Sequence, residues 1–143
     1  GFILGIKDGR KLFSEVASGR IQTNNPTVNG AWAPVYLINK MMLGLSAAYT
    51  QCGSKEALSV LIRLADWFGF QVLDKLTDEQ VQRLLVCEHG SINESFTDVY
   101  MTKRCGCLCR KERTSFSDGM RILRFLNLPD SRNTICIRET SAS

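Results

Sequence analysis

At 143 residues the chain has the size of one domain, and its 44% hydrophobic and 22% charged residues are ordinary for a globular protein. No apolar run approaches the ~20 residues of a bilayer-spanning helix, because Lys40 and Arg63 interrupt the richest stretches. The net charge of +4 is uneven: residues 1–102 carry nine basic against ten acidic side chains, and residues 103–143 carry nine against four.

The opening Gly1-Phe2-Ile3-Leu4 has no charged leader before an apolar stretch, so it reads as the interior of a longer chain rather than a secretory signal. Residues 1–33 form a loop-rich lead-in with one short helix over Lys11–Ser18, where Leu12, Phe13, Val16 and Ala17 share a face and Gly19 is the stop. Thr23-Asn24-Asn25-Pro26 is turn chemistry.

Pro34 opens the first long helix, since its missing N–H and fixed φ suit a first turn. Val35, Ile38, Met41, Met42, Leu45 and Tyr49 recur at helical steps, and Cys52-Gly53 ends the element. Gly44 lies inside it, costs about 1 kcal/mol against alanine and is of the kind that lets a second helix approach. Ser54 caps a second helix predicted to run from Lys55 to Leu76. Its broad stripe of Ala57, Leu58, Leu61, Leu64, Ala65, Phe68, Val72 and Leu76, widened by Val60 and Trp67, implies packing on two sides.

Thr77-Asp78-Glu79-Gln80 is a capping box for a third helix reaching Cys87, and Ser91-Ile92-Asn93-Glu94 is another for a fourth reaching Met101. Residues 34–102 therefore read as all-α. Beyond Lys103 the periodicity fails. Ile122 to Leu126 allows a turn or two of helix before Pro129, in a tail rich in Arg and Cys that fits disorder or translation in a shifted frame. This divides the chain into a helical region, 1–102, and a tail, 103–143.

Glu88-His89-Gly90-Ser91-Ile92-Asn93-Glu94 holds the sole histidine, two carboxylates and an amide at a helix break. The free N–H groups of a helix start suit oxygen-rich ligands. The same residues also fit plain capping, with His89 an ordinary surface or core side chain. Cys52 and Cys87 precede the tail; Cys105, Cys107, Cys109 and Cys136 lie in it. The first three of these alternate with single residues, whereas tetrahedral zinc sites space their ligands by at least two. Reduced thiols are expected, with no metal or cofactor in this chain.

Asn29-Gly30-Ala31-Trp32-Ala33-Pro34-Val35-Tyr36, Asn39-Lys40 with Gly44-Leu45, Glu56-Ala57-Leu58, Ala65-Asp66-Trp67, Lys75 to Gln80 and Glu88 to Glu94, in that order and spacing, resemble glycoside hydrolase family 127, the beta-L-arabinofuranosidases. Gly1 to Gly5 and Gly9-Arg10-Lys11 resemble the same family's lead-in. The resemblance implies an (α/α)6 barrel of paired helices with sugar bound where the helices open. It implies that His89 contacts the sugar, that Asn93 and Glu94 shape its pocket, and that Tyr36 and the residue at position 39 face it. Asn39 departs from the family's histidine there; an amide still hydrogen-bonds a hydroxyl but carries no proton at neutral pH. The family's zinc-held cysteine nucleophile and glutamate acid/base belong to full-length members, downstream of the matched segments, and Cys105 to Cys109 do not reproduce them.

These readings lead to an incomplete glycosidase with a carbohydrate substrate, no nucleic-acid or membrane partner, and barrel faces whose exposed apolar residues favour self-association. The alternative is a non-catalytic helical-repeat module that binds protein, although no fixed-period self-similarity is visible.

Overall fold

A computed structural model describes residues 1–86 and 92–107, with the backbone alone for 86 and 103–107. The described residues form five α-helices and a small sheet: α1 (Gly9–Ala17), β1 (Thr23–Asn24), β2 (Thr27–Val28), β3 (Ala31–Trp32), α2 (Pro34–Cys52), α3 (Lys55–Gln71), a 3₁₀ turn (Leu73–Lys75), α4 (Asp78–Val86) and α5 (Ile92–Cys107). The fold is all-α, as expected. None of these helices is long and apolar enough to cross a membrane.

Helix α1 starts two residues before the predicted Lys11. Asp8 enters it with φ +53° and no side-chain cap, so the usual start signal is missing, and the Asp8 carbonyl accepts from the Leu12 N–H at 3.0 Å. The lead-in also holds an antiparallel meander, β1-β2-β3, that the sequence reading took for loop. Thr23 pairs with Val28 and Thr27 with Trp32. Asn29, in the left-handed region, ties the β2–β3 turn to the segment between α1 and β1. Its Nδ2 donates to the Arg20 carbonyl and its Oδ1 accepts from the Gln22 N–H, both at 2.8 Å.

Local chemistry sets the ends of the long helices. Pro34 occupies the first turn of α2, and Gly53 closes it at φ +68°, donating to the Tyr49 carbonyl at 2.9 Å. Ser54 then caps α3, its Oγ accepting from the Ala57 N–H at 3.2 Å. The capping box before α4 forms in both directions: Gln80 N–H reaches Thr77 Oγ1 at 3.3 Å, and Thr77 N–H reaches Gln80 Oε1 at 2.9 Å.

Two boundaries differ from expectation. Helix α3 stops at Gln71 rather than Leu76, because Val72 leaves helical geometry and the chain tightens into a 3₁₀ turn. That turn still carries Leu73 and Leu76 against the core, so the apolar spacing survives the break. Helix α5 continues through Cys107, past the change in composition at Lys103. Ser91 of the second predicted box, Cys87 and the segment from Ile122 to Leu126 lie outside the described residues.

The core gathers one face from each helix: Phe13 and Val16 of α1, Val35, Ile38 and Met42 of α2, Leu61, Leu64 and Phe68 of α3, Leu84 of α4, and Ile92, Phe96 and Val99 of α5. Helix α3 packs against both α2 and α5, which accounts for the width of its stripe. Aromatic rings run through the centre. Phe13 meets Trp67 and Phe68 edge-on at 5.4 and 5.9 Å, and Phe68 stacks on Phe96 at 6.1 Å.

Gly44 does not serve a helix crossing among the described residues. It is exposed, and an added Cβ would meet nothing within 4 Å. Gly44→Ala should therefore stabilise the chain by about 0.5–1 kcal/mol. Gly53→Ala should cost about 1 kcal/mol, since L-residues resist the left-handed geometry. Urea-unfolding midpoints that move in opposite directions would bear out both assignments.

Candidate functional site

The predicted site divides between α2, the first turn of α5 and the residues that precede α5 in sequence. Glu88, His89, Gly90 and Ser91 lie outside the described residues, so the expectation that His89 faces a sugar has no geometry here. Asn93 and Glu94 stand in the first turn of α5. Glu94 is exposed, while Asn93 is half-buried. The Asn93 Oδ1 is itself buried and has no hydrogen-bond partner among the described residues, although its backbone carbonyl accepts from Thr97 Oγ1 at 3.0 Å. A buried amide oxygen left in that state favours any incoming O–H or N–H donor.

Asn39 and Tyr36 stand one turn apart on α2 in opposite surroundings. Asn39 falls in the row of Val35, Ile38 and Met42 and is 2% exposed. Its Oδ1 accepts the Ser95 hydroxyl at 2.5 Å, a buried side-chain bond across 56 residues of sequence. This amide therefore joins α2 to the first turn of α5, two residues from Asn93. Tyr36 is 42% exposed and stands beside Trp32, which is 63% exposed. The two rings meet edge-to-face at 6.4 Å and 71°, and the Lys40 ammonium lies 5.0 Å from the Tyr36 ring centre.

Sequence reasoning passed over two of these residues. Ser95 is a polar residue at a core step between Ile92 and Val99, and that misplacement was its only local signal. Trp32 was noticed as part of a matching segment but given no role, because exposure is set by tertiary packing. A separate groove of about 420 Å³ between α1 and α3, lined by Arg10, Ser14, Trp67, Gln71 and Lys75 among others, includes none of the predicted site residues.

No three His, Cys, Asp or Glu side chains come together as a metal-binding group among the described residues. Cys52 is exposed at the end of α2. The side chains of Cys105 and Cys107, and all of Cys109 and Cys136, lie outside the described residues.

The Asn39–Ser95 pair makes a direct prediction. Ser95→Ala and Asn39→Ala should each cost about 1–3 kcal/mol, since either strips a buried polar group of a partner. The double variant should lose less than the sum of the two. Denaturant unfolding of the three variants measures the coupling, and strict additivity would exclude the bond.

The family model described as the beta-L-arabinofuranosidase, GH127 catalytic domain, matches residues 1–105, which takes in α1 to α4 and nearly all of α5. No curated protein shows significant similarity to the chain. With 105 of its 143 residues inside that match, the chain belongs to the GH127 beta-L-arabinofuranosidase catalytic-domain family.

Proposed function

We propose that the chain is part of a glycoside hydrolase acting on arabinofuranoside-containing carbohydrate, keeping a portion of the sugar pocket and lacking the nucleophile and acid/base. The helices belong to an (α/α)6 barrel, and the pocket comprises His89, Asn93, Glu94 and Tyr36, with Asn39 setting its base through Ser95. One observation carries this reading beyond family membership. The buried Ser95–Asn39 bond seats the first turn of α5 on α2, next to an amide oxygen of Asn93 with no described partner.

The chemistry suits a neutral polyol. A sugar hydroxyl both donates and accepts, so it can donate a hydrogen bond to Asn93 Oδ1 or a Glu94 carboxylate while accepting one from an imidazole N–H. The α5 amino end supplies backbone N–H groups and a positive dipole end for oxygen atoms. Cleavage is a different demand. It needs two groups flanking the glycosidic bond, one to donate a proton and one to attack or to activate water. In the family those groups are a zinc-held cysteine and a glutamate downstream of the matched segments, so binding without turnover is expected of this chain.

Isothermal titration with a beta-L-arabinofuranosyl disaccharide tests both halves. Saturable binding should weaken about 5- to 10-fold in Asn93→Ala, corresponding to roughly 1–1.4 kcal/mol, with no product released. Absence of binding would refute the sugar pocket and favour a protein-binding helical module. Turnover abolished by His89→Ala would refute the missing machinery.

A further inference from the structure

Trp32 is the most exposed of the large apolar side chains that reach solvent among the described residues, at 63%. Its backbone is nonetheless held firmly. It pairs with Thr27 across β2 and β3, and the next residue, Ala33, turns left-handed at φ +43° while donating to the Pro26 carbonyl at 3.1 Å. The indole is thus carried on an ordered strand end directly before α2, not on a loose loop.

Its neighbours repeat at four-residue steps. Tyr36 sets its ring edge-to-face against Trp32 at 6.4 Å, and Lys40 holds its ammonium 5.0 Å from the Tyr36 ring centre. Tyr36 and Lys40 stand one turn apart on α2 and Trp32 joins them from the end of β3 through its contact with Tyr36, so the three exposed side chains form one outward row. The row combines aromatic faces with a phenol and a cation. Aromatic faces carry negative π charge and attract polarised C–H bonds, while the phenol and ammonium serve oxygen acceptors. A sugar ring offers both partners, C–H on one face and hydroxyls around its rim. An apolar helix would serve the indole but strip water from Lys40 with nothing to replace it. The mixture selects a saccharide.

We infer that Trp32 is a sugar-stacking residue, and that Trp32, Tyr36 and Lys40 form a platform for one ring of an arabinofuranoside-containing chain. This rests on the carbohydrate reading proposed above and adds a specificity-determining residue to it. Affinity at this platform depends on an aromatic face at position 32, not on the indole N–H.

The full chain titrated with a beta-L-arabinofuranosyl disaccharide provides the test. Trp32→Ala should weaken binding about 10-fold and Trp32→Phe no more than about 3-fold, with unchanged circular dichroism in both. The chain has two tryptophans, so Trp67→Phe leaves Trp32 as sole reporter, and its emission should shift to the blue as sugar saturates. Unchanged affinity in Trp32→Ala, with weakening still seen in Asn93→Ala, overturns the platform and leaves the pocket standing. Failure of the unsubstituted chain to bind overturns both. If Trp32→Ala instead abolishes self-association in sedimentation and leaves sugar affinity unchanged, the face belongs to a second copy and the platform is overturned.

Discussion

The hydroxyl of Ser95 meets the amide oxygen of Asn39 at 2.5 Å where each residue is 2% exposed. An apolar contact there would tolerate sliding of α5 along α2. A hydrogen bond between two buried polar groups does not, because any slip leaves both without this partner and without water to replace it. The first turn of α5 is thereby held in register with the second turn of α2. Asn93 and Glu94 inherit their position from that bond.

The surrounding packing makes the constraint effective. Phe68 of α3 stacks on Phe96, the residue after Ser95, so α5 is held from a second direction. Phe13 and Trp67 extend the cluster back to α1, coupling the lead-in to the same core. Asn29 binds the β2–β3 turn to the segment that follows α1, and the meander delivers Trp32 to the start of α2. Elements far apart in the chain thus meet on α2, where Asn39 is bonded to α5 and Trp32 lies beside Tyr36.

Much of this was legible from sequence where the cause is local. Pro34, Gly53, Ser54 and the Thr77–Gln80 box mark helix ends through bonds made within a few residues, and each end lies where those residues put it. The start of α1 was missed because Asp8 adopts a left-handed entry without a side-chain cap. The end of α3 was missed because a 3₁₀ turn preserves the spacing of Val72, Leu73 and Leu76, leaving periodicity blind to the change. Strands of two residues carry no alternation to read. At the site, Asn39 was singled out as a departure from a family pattern, but its partner lies 56 residues away. No single-sequence signal joins such a pair.

The central claim is that His89 and Asn93 bind saccharide hydroxyls. Titrating an isotopically labelled chain with a beta-L-arabinofuranosyl disaccharide, and following the His89 ring and Asn93 side-chain resonances, tests it most directly. Both should shift together along one saturating curve. Resonances at His89 and Asn93 that stay still while the sugar is in large excess would contradict the account.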